Sequence, residues 1–265
     1  MAEARASAAR RYLEIVHTLA RREFLVRYRG NLFGALTAVL VPLLFLLTYT
    51  FVFSTLVPVR LHAGATRTDY AFFFFAGLVG WTLFAETTGR APRLFTSQAH
   101  FVRKTLFPVS ALPVASSLTA FYHSLLWLGV FAAARVLAGG PLSGSLLAAP
   151  ALLALLALFT AGIALVVAAL GAFVRDLAEW IGPVLSVGLF VSPILYPAER
   201  IASVAPWLVT LNPLSPLIEG LRGALLDGTL PDATALASLV LWPAAALGAG
   251  ILVHRRFRPL LADVL

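Results

Sequence analysis

Residues Leu32 to Val57 read LFGALTAVLVPLLFLLTYTFVFSTLV, and no charged side chain interrupts them. A helix needs about 20 mostly apolar residues to cross roughly 30 Å of hydrocarbon, so this run is long enough to span a bilayer. Further runs of the same kind follow. Tyr70 to Ala85 is short alone and is expected to continue past Glu86. Leu106 to Ala134 is interrupted near its start by Pro108 and Pro113. Leu146 to Val174, Trp180 to Tyr196 and Ala233 to Val253 complete the set. The reading is an all-α integral membrane protein with six transmembrane helices and both termini on one side.

Composition agrees. Of 265 residues, 60% are hydrophobic and 12% charged, with a net charge of +8. A soluble domain carries about twice that share of charge, so this chain cannot clothe a globular surface in polar groups. A soluble enzyme, a disordered protein and a nucleic-acid-binding domain are excluded. Cysteine is absent, which removes disulfides, thiolate metal sites and a cysteine nucleophile.

The basic residues report orientation, because cytoplasmic loops are enriched in Arg and Lys. Arg5, Arg10, Arg11, Arg21, Arg22, Arg27 and Arg29 precede the first span. Arg90, Arg93, Arg103, Lys104 and Arg175 lie in the loops on that same side, and Arg255, Arg256 and Arg258 in the C-terminal tail. Only Arg60, Arg67, Arg135, Arg200 and Arg222 fall on the other side. Fifteen against five of the 20 basic residues places the N and C termini in the cytoplasm. The long basic start and the length of the first apolar run argue against a cleaved signal peptide.

Before the first span, over residues 8–29, Leu13, Val16, Ala20, Phe24 and Tyr28 recur at three- and four-residue intervals. That spacing predicts an amphipathic helix on the cytoplasmic interface, serving as a basic anchor or a docking element. Between the fifth and sixth spans, residues 197–231 hold apolar stretches too short to cross, broken by Pro206, Pro213 and Pro216. Re-entrant or interfacial helices are expected there. Irregular backbone at such depth must be buried in protein or line a watery cavity.

Catalytic chemistry is sparse. His17, His62, His100, His123 and His254 are scattered, without metal-ligand spacing. His123 stands alone in the third span; such a residue is a functional candidate, or a hydrogen-bonded packing group. The acids lie near interfaces or in loops, which weakens ion-coupled transport. The only lysine, Lys104, follows Phe-Val-Arg and lacks the glycines of a phosphate-binding loop. Any ATP hydrolysis belongs to another subunit.

Several strings carry a resemblance. They are Arg27-Tyr-Arg-Gly-Asn-Leu-Phe-Gly34, Tyr70-Ala-Phe-Phe-Phe-Phe-Ala-Gly-Leu-Val-Gly-Trp81, Lys104-Thr-Leu-Phe-Pro108, Val174-Arg-Asp176, Ser192-Pro-Ile-Leu-Tyr-Pro197 and Leu211-Asn-Pro213. In this order the chain resembles the permease subunit of type-2 ABC exporters, in the branch that exports lipid-linked polysaccharides such as O-antigen, capsule and teichoic acid. The resemblance covers nearly the whole chain, as one transmembrane domain over residues 1–265. It implies a homodimer in the bacterial plasma (inner) membrane, bound to two copies of an ABC ATPase subunit. That subunit would bind ATP and Mg, leaving this chain without a cofactor. The resemblance also makes residues 90–104 a coupling helix for the ATPase. Arg93, Leu94, Phe95, Gln98, Phe101, Arg103 and Lys104 are its candidate contacts, joined by Arg175 and Asp176 on the next cytoplasmic turn. Arg175 and Asp176 also read as a local ion pair that caps helices.

For the substrate path, smooth aromatic walls suit a sliding polymer. Phe75, Trp81 and Phe84 are the candidates, against a reading of the same cluster as an interfacial belt with Phe72 and Phe73 toward lipid. Tyr196, Trp207, Asn212, Glu219 and Arg222 are candidates for an outer gate. Glu219 and Arg222, three apart, also read as a simple pair. Two other functions stay open: an exporter of a small hydrophobic drug or lipid, and an ion-coupled secondary transporter or channel.

Overall fold

The computed structural model describes residues 2–28, 34–52, 55, 67–102 and 107–264. These residues are helical almost throughout and contain no strand. Helix α1 covers Ala2–Tyr28, α2 Thr37–Phe51, α3 Arg67–Arg90, α4 Leu94–Ser97 and α5 Ala99–Val102. Helices α6 (Ala111–Leu137), α7 (Ala149–Phe173) and α8 (Leu177–Val191) follow. Then come the short α9 (Ala198–Ala202), α10 (Pro206–Leu211) and α11 (Leu214–Arg222), and the long α12 (Ala233–Val264).

Among these, four segments are long and apolar enough to cross a membrane: Thr68–Ser97, Ala111–Leu137, Gly144–Phe173 and Ala233–Leu261. The apolar helices α2 and α8 have 15 residues each. At 1.5 Å per residue each is about 22 Å long, short of the roughly 30 Å hydrocarbon core. Part of the Leu32–Val57 run lies outside the described residues.

Helix α3 is the axis of the bundle. Successive side chains on a helix point about 100° apart, so an unbroken buried run means packing on every side. From Tyr70 to Trp81 every residue is buried. The four phenylalanines take four directions. Phe72 meets Phe131 and Arg135. Phe73 meets Arg222, Phe74 meets Tyr49, and Phe75 stacks on Trp127. Phe72 and Phe73, each 7% exposed, are therefore core rings and not the lipid-facing belt that composition suggested.

Helices α7 and α12 approach backbone to backbone. A Cβ added at Gly162 would stand 2.3 Å from the Ala246 carbonyl carbon, and one at Gly250 would stand 2.4 Å from the Gly162 oxygen. Small residues permit this approach, a common way for helices to associate in lipid. Farther along α7, a Cβ at Gly171 would meet the Pro92 oxygen at 2.3 Å, so the turn after α3 is held against α7. At that end, Ala91, Leu94, Phe95, Leu112, Ala168 and Leu261 form one core cluster. Asp232 starts α12, its carboxylate accepting from the Ala235 N–H at 2.7 Å.

Helix α1 lies along the base of α6. Val16 and Ala20 pack on Ala111 and Ala115, while Leu13 is 64% exposed. Of the stripe read in the sequence, Val16, Ala20, Phe24 and Tyr28 face the bundle and only Leu13 departs, with Tyr12, Ile15 and Leu19 at its edge. Ala111 and Ala115 of α6 let Val16 and Ala20 approach closely.

Candidate functional site

One constellation gathers at the turn that follows α8. Ser192, Pro193 and Ile194 are buried there, with carbonyls that no regular helix satisfies. The guanidinium of Arg222, at the end of α11, supplies the donors. Its Nη2 donates to the Pro193 carbonyl at 2.8 Å and to Ile194 at 3.4 Å. Nε donates to the Phe73 carbonyl at 3.4 Å, and Nη1 pairs with Glu219 at 2.5 Å. The Tyr70 hydroxyl donates to the Leu195 carbonyl. Asn212 donates to the Ser192 hydroxyl at 2.9 Å, while its oxygen accepts from the Leu214 N–H at 3.0 Å. Asn212 therefore opens α11 and holds the turn with one side chain.

Sequence reasoning grouped Tyr196, Trp207, Asn212, Glu219 and Arg222, and the structure brings Asn212, Glu219 and Arg222 to this turn. The i, i+3 pairing of Glu219 with Arg222 is present, but Arg222 is only 3% exposed and reaches far beyond that pair. Tyr196 and Trp207, 41% and 60% exposed, stay outside this network. Tyr70 and Ser192 were missed as individual positions, although both stand within quoted strings.

A second constellation lies toward the other end of α3. Arg27 of α1 meets Glu86 of α3 at 2.5 Å, and His123 of α6 approaches the Glu86 carboxylate at 3.2 Å. Arg90 joins at 3.3 Å. Phe24 and Tyr28 set their rings against His123 at 5.2 and 5.7 Å. His123 is thus a hydrogen-bonded member of an ionic cluster. The cluster closes one end of a cavity of about 550 Å³. Trp81, Phe45, Tyr49, Phe74 and Trp127 line its walls. Glu23, on α1 nearby, accepts from the Thr119 hydroxyl at 3.4 Å. Burial pushes the Glu23 carboxyl above its ordinary range, opposed by the charge of Arg90.

The aromatic candidates separate. Trp81 lines the cavity. Phe84 is half-buried, against Trp81 and Phe159. Phe75 is wholly buried between Trp127 and Phe131.

The segment after α3 is a chain of short helices: a tight turn over Ala91–Arg93, then α4 and α5. Leu94 and Phe95 are buried in the chain's own core. Arg93, Thr96, Ser97 and His100 are exposed on the other side, and Gln98 and Phe101 are half-buried. Arg103 and Lys104 lie outside the described residues. Arg175 and Asp176 are both exposed in the turn between α7 and α8. They form no ion pair with one another, and Asp176 makes no side-chain cap bond. Among the described residues no group of histidines and acids is arranged to hold a metal.

Known proteins are similar to this chain in sequence. The O-antigen export system permease protein RfbA of Klebsiella pneumoniae is 28% identical over 218 residues, which cover 82% of either chain. A protein of the same name from Myxococcus xanthus is 25% identical over 244 residues, covering 89% of this chain and 92% of its own. The family model described as ABC-2 type transporter matches residues 14–226, from within α1 through the Arg222 network, and the chain belongs to that family.

Proposed function

We propose that the chain is the permease of an exporter that carries a lipid-linked polysaccharide from the cytoplasmic to the outer face of the membrane. The carrying observation is the similarity, over most of both chains, to permeases named for O-antigen export. Membership of the ABC-2 family implies an ABC ATPase as partner. ATP and Mg belong to that subunit, two copies of which serve a permease homodimer. Helices α2 and α8 join the four longer apolar segments as spans, giving six, with the termini in the cytoplasm. Helices α9 to α11 form the outer re-entrant segment.

The face formed by Arg93, Gln98, Phe101, Arg103 and Lys104, with Arg175 and Asp176 beside it, meets the ATPase. Leu94 and Phe95 anchor that face to the bundle. The substrate path runs by Trp81 and Phe84 toward Tyr196 and Trp207, with Phe75 as backing. The Arg222 network holds the outer turn. In the homodimer, the second copy packs along α8, where Trp180, Val184, Val187 and Phe190 are all at least 58% exposed.

The deciding experiment is deletion of the gene, followed by fractionation of cell glycans. Lipid-linked glycan should accumulate on the cytoplasmic side while the corresponding surface glycan disappears. An unchanged surface glycan would overturn the proposal. Changed drug sensitivity without a glycan defect would point to a small hydrophobic cargo.

A further inference from the structure

A second cavity, of about 430 Å³, opens between α7 and α12 at the base of α6. It shares no residue with the Arg222 network or the Glu86 cluster, and the transport reading gives it no role. Leu247, Ile251, His254, Arg255 and Arg258 all line it from α12. Positions 247, 251, 254 and 258 fall on one helix face. The cavity is therefore a slot about 16 Å long at 1.5 Å per residue. Its walls are aliphatic at the Leu247 end and basic at the Arg258 end. Tyr12 of α1 and Ser110 before α6 add hydroxyls to its lining.

One side chain in this lining is unexplained by the fold. His254 is 6% exposed, and its buried Nδ1 has no hydrogen-bond partner. A buried polar atom without a partner is costly and calls for an explanation. Arg255 and Arg258 add two cations, and among the described residues neither forms an ion pair. The aliphatic part of the lining reaches the outside of the bundle at Leu158, which is 48% exposed.

From this geometry we propose that the slot binds an anionic phospholipid, phosphate toward Arg255, Arg258 and His254, acyl chain along Leu247 and Ile251. Basic pockets between spanning helices are suited to acidic lipid headgroups. A second copy of the chain would bring the same arginines to this face and be repelled. A soluble anion would leave the aliphatic half of the slot unfilled. The site is independent of the cargo exported.

The test uses the full-length permease in detergent, stripped of lipid and titrated with phosphatidylglycerol or phosphatidylcholine. Native mass spectrometry reads the retained lipid. Phosphatidylglycerol should be retained selectively. The double variant Arg255→Gln/Arg258→Gln should weaken its retention by about tenfold or more. Arg256→Gln, whose side chain lies outside the slot, should leave it unchanged. Ile251→Trp should block the aliphatic end and lower retention while both arginines remain. Thermal unfolding of each variant in detergent confirms that it is folded. Equal retention of the two lipids, or equal losses in the Arg256 and double variants, would overturn the proposal. So would displacement by inorganic phosphate together with full retention in Ile251→Trp, which would mark an anion site only.

Discussion

The Arg222 guanidinium stands 3.7 Å from the centre of the Phe73 ring, across 149 positions of sequence. This contact joins the end of α11 to the start of α3, while Nη2 serves the turn after α8 and Nη1 serves Glu219. Truncation to Arg222→Leu removes the donors to the Pro193 and Ile194 carbonyls and unpairs Glu219. The expected loss is about 3 kcal/mol, discounted because Glu219 is 36% exposed. Arg222→Lys keeps the charge but not the planar fork, and should cost about 1–2 kcal/mol. Thermal unfolding in detergent measures both, and equal losses would refute a role for the fork.

The α7–α12 contact makes a second prediction. Gly162→Val must push the Ala246 backbone away, at a cost of about 3 kcal/mol or more. Gly129, with nothing within 4 Å of an added Cβ, is the control. Gly129→Ala should stabilise α6 by about 0.5–1 kcal/mol through helix propensity alone. If both variants melt alike, the close approach is not what holds these helices.

Coupling through the turn after α3 separates exposed from buried positions. Arg93→Glu should lower recovery of the ATPase subunit in co-purification while the permease melts normally. Phe95→Ala should lower the melting temperature itself, by the equivalent of about 3–5 kcal/mol. Normal ATPase recovery with Arg93→Glu would remove Arg93 from the contact.

Glu23 carries a pH dependence with a definite sign. Its folded-state carboxyl titrates above the ordinary value because burial disfavours the charge. Its contribution to stability is complete at acid pH, below the unfolded value. It is lost as pH rises through the raised folded value. Glu23→Gln should therefore gain stability over the native chain at neutral pH and lose that advantage near pH 4. Melting curves at the two pH values decide the matter, and a difference independent of pH would contradict it.

Cysteine scanning can be read cleanly in a chain that has no cysteine of its own. Trp81→Cys opens to the cavity and should react with a membrane-impermeant thiol reagent from one side. Phe75→Cys, set between Trp127 and Phe131, should stay protected. Protection of both would remove Trp81 from any aqueous path.

The sequence made much of this legible, for physical reasons. Apolar runs mark spans because a bilayer tolerates few charges, and the run at Tyr70 did continue to Arg90 as helix α3. Asn212, Glu219 and Arg222 were visible as odd polar groups among apolar ones. The cluster of Arg27, Glu86 and His123 was not assembled in advance, since its members come from α1, α3 and α6. The signal was present: one acid in the second span and one histidine in the third each demand a partner. Helical period alone could not show that Leu13 stays exposed while Val16 and Ala20 pack on Ala111 and Ala115 of α6.

Composition and pattern by themselves determined that this chain belongs in a membrane, is helical, and carries no phosphate-binding loop motif in its sequence. Those properties are set by local chemistry: an apolar run of spanning length is legible residue by residue, and a phosphate-binding loop is contiguous in sequence. Tertiary structure decided which rings of α3 face which neighbours, that Leu94 and Phe95 point inward, and that Arg222 bolts three distant segments together. A buried guanidinium can only be satisfied by groups the fold delivers. A run of four phenylalanines cannot say which helix each one will meet.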